Sequence, residues 1–178
     1  YLGLKKKWHF YKARRVWFAS ILKVPDDPTF RWMIKSAKGK LAYKMNEWDE
    51  YALEAAVQVK NTRGGTVTAV TIGTKDCDDI LRRALALGAD KAIRIDEDVT
   101  RDDSCVVAKI LAALIANLSH DLVLFGMQSE DFGRAQLGVM VAETLGIPHA
   151  SSVVKIEVKE DGQVEVAREL EGGVLELY

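Results

Sequence analysis

Cysteine is scarce in this sequence, and the two present, Cys77 and Cys105, have neither metal-ligand spacing nor a pairing pattern. A disulfide framework or zinc site is therefore not expected, and a reduced, intracellular protein is the simplest inference. No apolar run approaches the roughly 18 residues of a membrane span. The basic, aromatic start lacks the apolar block and cleavage site of a secretion signal. The three histidines, His9, His120 and His149, are scattered and form no cluster. No GxGxxG, GxxxxGK[ST], GxSxG or HExxH occurs, which removes the commonest dinucleotide, phosphate-loop, hydrolase and metalloprotease signatures.

Charge of one sign is also missing overall. The net charge is −1 over 178 residues, so composition makes no case for nucleic acid. One local exception is the start, where Lys5, Lys6, Lys7, Lys12, Arg14 and Arg15 lie among Trp8, Phe10, Tyr11 and Trp17. Residues 1–15 are read as an extension foreign to the domain that follows, with residues 16–178 as that domain. The chain opens on Tyr1 rather than Met, and its native start is expected upstream. The acidic run "IDEDVTRDD" lacks the glycine and closing glutamate of a calcium loop and reads as a solvated helix-capping segment. Asp76, Asp78 and Asp79 surround Cys77 with negative charge, which argues against a reactive thiol.

What is present is a regular alternation of periods. Val16 to Leu22 reads as a first strand, closed by "KVPDDP", where Pro25 and Pro28 impose extended or turn geometry. Residues 29–45 suggest a hairpin or loop. At "NEWDEYALEAAVQVK" the pattern turns helical. Trp48, Ala52, Ala55 and Val59 form the expected inner stripe, with Leu53 and Ala56 beside it and Asn46 or Asp49 as the cap. "TVTAVTIG" is a buried strand, Asp76 to Leu87 a helix closed by Gly88, and "DKAIRI" a third strand. Asp102 or Asp103 opens a further helix, with Val106, Val107, Ile110, Leu111, Leu114 and Leu118 on its apolar side. Residues 121–125 form another strand, and a last helix ends at "LGIP". "ASSVVKIEVKEDGQVEVAREL" alternates with period two around Asp161-Gly162, the signal of a hairpin.

This order predicts an α/β fold: an open, mostly parallel, doubly wound sheet of three-layer, Rossmann-like type, with an antiparallel C-terminal hairpin. Right-handed crossovers gather the loops after "VWFAS", "TVTAVTIG" and "DLVLF" at the carboxyl edge of the sheet, where open α/β sheets bind ligands. The stretch "DLVLFGMQSEDFGRAQLG" leaves its strand through Gly126 and carries polar side chains up to the next helix. Gly126 and Gly133 let backbone amides approach an anion, Arg134 can neutralise it, and the helix start at Ala135 or Gln136 offers free N–H groups. Asp131 suits a ribose hydroxyl, or simply caps the next helix, and Arg134 is equally readable as solvated.

"MNEWDEYALEAA", "VTAVTIG", "LRRALALGADKAIRI", "DLVLFGMQSEDFGRAQLG", "LGIPHASSV" and "RELEGG" together resemble the beta subunit of the electron transfer flavoproteins, from about Val16 to Tyr178. The resemblance implies a heterodimer with an alpha subunit. The pair would carry one FAD that shuttles electrons from dehydrogenases, as in fatty acid or amine oxidation, to a quinone reductase or other acceptor. It also implies an adenine nucleotide in the beta subunit, AMP or a second FAD. Carried over, that site falls on Ser20, Asn46 and Ile72, and along Gly126 to Leu137 with Gln128, Asp131, Gly133, Arg134 and Gln136. Trp48 falls on the family's aromatic position beside the flavin, with core packing as its other reading, and Asp27 replaces an aromatic of some members.

The match has departures. Ala135, Gln136 and Leu137 stand where AMP-binding members carry Asn-Gln-Thr, and "RAQL" is nearer the Thr-Ala-Gln-Val of flavin-bifurcating members. Family members continue well beyond "RELEGG", so the chain is expected to be a fragment whose final strand is an unpaired edge. The resemblance implies an electron carrier without catalytic residues of its own, located in the cytoplasm, or in the mitochondrial matrix of a eukaryote. A stand-alone nucleotide-binding module of universal-stress type is the alternative. "NEWDEYAL" together with "RELEGG" speaks for the flavoprotein reading. A nucleic-acid protein led by the basic start ranks third.

Overall fold

The computed structural model describes the backbone of residues 15–20 and all of residues 44–98, 103–129 and 133–178. Four parallel strands make the main sheet: β1 (Arg15–Ser20), β2 (Thr66–Ile72), β3 (Lys91–Ile95) and β4 (Leu122–Phe125), in the order β3-β2-β1-β4. Four helices accompany them: α1 (Glu47–Arg63), α2 (Asp78–Ala86), α3 (Ser104–Ala116) and α4 (Leu137–Leu145). The strand order runs outward from β1 to β3 and then returns to place β4 on the other side of β1. That reversal is a topological switch point, and it opens a crevice beyond the carboxyl ends of β1 and β4.

The layers follow from the period of two along the strands. Val67 and Ala69 of β2 join Leu53, Ala56 and Val59 of α1 and Ile80 and Ala84 of α2 in one core, with Leu122 and Leu124 of β4 against it. Val70 and Ile72 point the other way, into a core with Val107, Leu111 and Ile115 of α3 and Val141 of α4, joined by Val123 and Phe125. Two helices thus cover each face, as the doubly wound reading expects. Leu53 and Leu111 are fully buried on opposite sides of the sheet. Truncating either to alanine costs about 2–5 kcal/mol.

Two of the expected stripes are rotated. The buried positions of α1 are Asp49, Leu53, Ala56 and Val59, while Trp48 is 37% exposed. Ala52, Ala55 and Ala56 lie side by side around the helix between the expected stripe and the buried one, and being small they suit either, so hydropathy alone cannot fix its rotation. On α3 the buried set is Val107, Ala108, Leu111, Ala112 and Ile115, and Val106 is 44% exposed. Asp103 is the cap of α3, its Oδ1 accepting the N–H groups of Cys105 and Val106 at 2.7 and 3.1 Å. The expected helix from Asp76 begins instead as a 3-10 turn at Lys75–Cys77.

The C-terminal hairpin is present as β5 (Val153–Val158) and β6 (Val164–Glu169). Its turn is closed by Gly162 at φ 82°, whose N–H reaches Lys159 O at 3.1 Å. This is a type I turn followed by a left-handed glycine. The expectation of an unpaired final edge strand is corrected in one part: β7 (Leu175–Leu177) pairs antiparallel with β6, Leu177 opposite Ala167, while the order β5-β6-β7 does leave it at the edge of its sheet. Val158 and Ile156 dock this small sheet onto the α1 side of the main core. Arg63 at the end of α1 adds a hydrogen bond from Nε to Val158 O at 2.6 Å.

Candidate functional site

The parallel register sets which loops meet. Ser20 stands opposite Thr71, and Ala19 opposite both Val70 and Phe125. Ser20, Ile72 and Gly126 therefore all lie at one end of the sheet. The chain leaves β4 through Gly126, and here glycine answers to packing. A Cβ at this position would fall 2.8 Å from the backbone nitrogen of Asp49 and 2.8 Å from the carbonyl carbon of Trp48. The first turn of α1 lies directly on it. Its N–H is engaged too, donating to Asp49 Oδ1 at 3.0 Å.

Asp49 is only 5% exposed. Its second oxygen accepts Asn46 Nδ2 at 3.3 Å, and the same Nδ2 donates to Gln128 O at 2.8 Å. Asn46 is the N-cap residue of α1, but its side chain makes no capping bond. It reaches instead across to the loop after β4. At the opposite wall Gly133 has φ 57° and donates its N–H to Ser129 O at 2.9 Å, while Ala135 takes φ 50°, a left-handed geometry that is uncommon without glycine. Gln136 is the N-cap residue of α4 and makes no side-chain cap bond. A Cβ at Gly138, in the first turn, would fall 3.2 Å from the Phe125 side chain, so α4 starts tight against the end of β4.

Between these walls lies a small cleft of ≈ 80 Å³, bounded by the starts of α1, α3 and α4 and by the loop from Gly126 to Ser129. Asn46, Gly126, Gln128, Arg134 and Gln136 of the expected site line it. Gly133 adjoins it in sequence. Ser20 is placed at the same edge by its backbone. Ile72 ends its strand there but is 1% exposed, with its side chain in the core under α3. Trp48 lies on the first turn of α1, its ring edge-on to Tyr51 at 6.2 Å between centroids. Asp131 lies outside the described residues, as do residues 1–14 and 21–43 with the expected basic extension, Asp27 and most of the segment 29–45.

Two polar lining residues, Asp49 and Ser104, and the apolar Val107 and Phe125 were not singled out as ligand contacts in the sequence. The spacing Asn46-x-x-Asp49 is that of a reciprocal helix cap, which is how it reads without the fold. Its tertiary use by Gly126 has no sequence signature. Ser104 follows the capping Asp103 and carries no further signal.

The three helix starts differ in charge. The first turn of α1 holds Glu47, Asp49 and Glu50, and α3 is capped by Asp103, whereas the first turn of α4 has no acidic residue. A helix N-terminus carries roughly half a positive charge and N–H groups without intrahelical acceptors. With Arg134 beside it, this end of the cleft suits an anion. Cys77 is not part of it: burial, and then Asp76, push its thiol pKa up, which leaves it a packed side chain. No group of His, Cys, Asp and Glu able to hold a metal occurs among the described residues.

Residues 35–177 match the family model described as the electron transfer flavoprotein domain. The chain belongs to the electron transfer flavoprotein family. It is 38% identical over 140 residues to "Electron transfer flavoprotein subunit beta" of Methylophilus methylotrophus, covering 76% of this chain and 53% of that one. With the protein of the same name from Bacillus subtilis (strain 168) it shares 37% identity over 132 residues, 73% of this chain and 51% of the relative. "Protein FixA" of Azorhizobium caulinodans is 35% identical over 138 residues, covering 73% and 49% respectively. The chain thus spans about half the length of the curated relatives it matches. No helix among the described residues is long and apolar enough to cross a membrane.

Proposed function

We propose that this chain works as the beta-type subunit of a heterodimeric electron transfer flavoprotein, holding an adenine nucleotide, AMP or a second FAD, at the β1/β4 switch point. The observation that carries the reading is the start of α4. It is a helix N-terminus without acidic residues, flanked by Arg134, opening into the cleft at the carboxyl edge of a doubly wound sheet. A cleft of ≈ 80 Å³ is well below the roughly 300–1,000 Å³ of sites that enclose a whole ligand. It matches the phosphate end, held by Arg134 and the first-turn amides of α4. Gln128 and Asn46 form the facing wall, Gly133 precedes Arg134 in the chain, and Asp131 is a further contact that the family resemblance implies. Ser20 and Ile72 contribute position along the edge.

In this reading an alpha subunit supplies most contacts to a shared FAD, and the exposed Trp48 faces the flavin across the subunit boundary. FAD, when bound, supplies the electron-carrying chemistry, and this chain's own residues bind and orient. The protein is an electron carrier without catalytic residues of its own, linking dehydrogenases to a quinone reductase or another acceptor. Its compartment is the cytoplasm, or the mitochondrial matrix in a eukaryote. The basic residues 1–14 precede the functional domain, which begins with β1 at Arg15, one residue before the expected boundary. A universal-stress-type module would use the same edge, but the family match and Trp48's exposure favour the flavoprotein reading.

The test is to co-express the chain with an alpha subunit, purify the complex, denature it and identify the released small molecules by mass. An adenine nucleotide beyond the shared FAD is the expected result. A complex that releases FAD alone in one-to-one ratio, or a chain that never associates with alpha, would overturn the reading.

A further inference from the structure

We infer that Asp49, a residue with no assigned part in ligand contact, is a positioning residue that sets the shape of the nucleotide cleft, an inference that rests on the reading above. Its carboxylate is buried at the third residue of α1, where the helix N-terminus favours negative charge. One oxygen holds the Gly126 N–H at 3.0 Å and the other accepts Asn46 Nδ2 at 3.3 Å. The second contact, together with the Gln128 carbonyl, decides which way the Asn46 amide points. An amide group has an NH2 end and a carbonyl end, and only the NH2 end can serve two acceptors. Asn46 faces two acceptors, Asp49 Oδ2 and Gln128 O, and its Nδ2 donates to both, the latter at 2.8 Å. The carboxylate therefore reinforces the orientation of Asn46, and Asn46 holds the loop from Gly126 to Ser129 against the start of α1. That loop is the cleft wall opposite Arg134 and Gln136.

Glycine at 126 makes the arrangement possible, since a side chain there would occupy the position of the Asp49 backbone. The isosteric Asp49→Asn keeps the volume and changes the logic. If the new amide at position 49 turns its oxygen to the Gly126 N–H, its NH2 meets the NH2 of Asn46. Asn46 must then flip and present its oxygen to the Gln128 carbonyl. If the new amide turns the other way, the Gly126 bond is lost. Either outcome removes one of the two links that hold the wall.

The experiment compares wild type, Asp49→Asn and Asp90→Asn as nucleotide-stripped full chains in complex with the alpha subunit. AMP affinity is read by calorimetry and exchange of residues 126–129 by hydrogen-exchange mass spectrometry. Asp90→Asn is the control, because Asp90 also holds a backbone N–H, that of Val67 at 2.8 Å, away from the cleft. Asp49→Asn should weaken AMP binding about tenfold, the loss of roughly one well-placed hydrogen bond, and should raise exchange in the loop. Asp90→Asn should do neither. Unchanged affinity with unchanged loop exchange in Asp49→Asn overturns the positioning role and leaves the nucleotide reading standing. If the wild type binds no AMP, that reading falls, and the role of Asp49 is decided by loop exchange alone: a rise supports it and none overturns it. Should Asp49→Asn not fold, Asn46→Ala removes the bonds to Gln128 and to Asp49 Oδ2 while leaving the Asp49 bond to the Gly126 N–H in place. Faster loop exchange then supports the proposal, and wild-type exchange overturns it.

Discussion

Oδ1 of Asp49 accepts the backbone N–H of Gly126 at 3.0 Å, joining the first turn of α1 to the end of β4 across 77 positions of sequence. The bond fixes the junction from which the cleft is built, and the packing around it explains why the residue after β4 has no side chain. Gly126→Ala should therefore destabilise the protein through steric overlap with α1, by about 1–3 kcal/mol as for other overpacked sites. Denaturant unfolding measures it. By contrast, Gly64→Ala meets no atom within 4 Å, and its cost is confined to the strained φ of 77°. Equal losses from the two substitutions would show that the contact with α1 is not decisive.

Ala135 is expected to be a point of local strain, with φ 50° in a residue bearing a Cβ. Left-handed geometry costs an L-residue roughly 1–2 kcal/mol, and Asn and Gly bear it best. Ala135→Asn should raise the unfolding free energy, by up to about 1 kcal/mol. Thermal melts of the two proteins check this. A lower melting temperature for Ala135→Asn would contradict it.

Trp48→Ala should leave the fold intact, because the ring is exposed and packs edge-on against Tyr51 rather than in the core. In the heterodimer the same substitution should shift the flavin absorption band or the flavin potential. An unaltered spectrum and potential in a folded Trp48→Ala complex would remove Trp48 from the flavin environment.

The loop between α2 and β3 makes acid stability dependent on Asp90. Burial opposes the charge of this carboxylate, but hydrogen bonds from Lys60 and from the Val67 N–H outweigh it and hold its pKa below the ordinary value. A group with a depressed folded-state pKa stabilises above its unfolded pKa, about 3.9 for aspartate, and that contribution fades as pH falls through the lower folded value. Asp90→Asn should thus lower stability at neutral pH and flatten the decline below about pH 4. Unfolding curves at several pH values decide the matter, and parallel pH profiles for the two proteins would exclude the role.

The order of elements was legible in sequence because periods of two and of 3.6 alternate cleanly, and Asp161-Gly162 marks its turn. The edge where the site lies followed from that order, and Asn46, Gly126, Gln128, Arg134 and Gln136 do line one cleft. The rotation of α1 did not follow. Alanines between the Trp48 side and the Leu53 side of that helix suit either rotation, which leaves Trp48 and Asp49 undecided by hydropathy, and a buried carboxylate is the last choice such a scale makes. Only the packing of Gly126 on the α1 start turns Asp49 inward and Trp48 outward. Ile72 illustrates a different gap: its place at a strand end is readable, whereas the face its side chain takes depends on the register of β2, which sends it into the core under α3.

The central claim, that the start of α4 with Arg134 holds the phosphate of an adenine nucleotide, is tested most directly by calorimetric titration of AMP into nucleotide-stripped heterodimer, wild type against Arg134→Ala. Loss of a charge-assisted hydrogen bond of about 1.5–3 kcal/mol corresponds to roughly ten- to a hundredfold weaker binding, and that is the predicted result. Wild type that binds no AMP, or Arg134→Ala that binds it as tightly as wild type, would contradict the account.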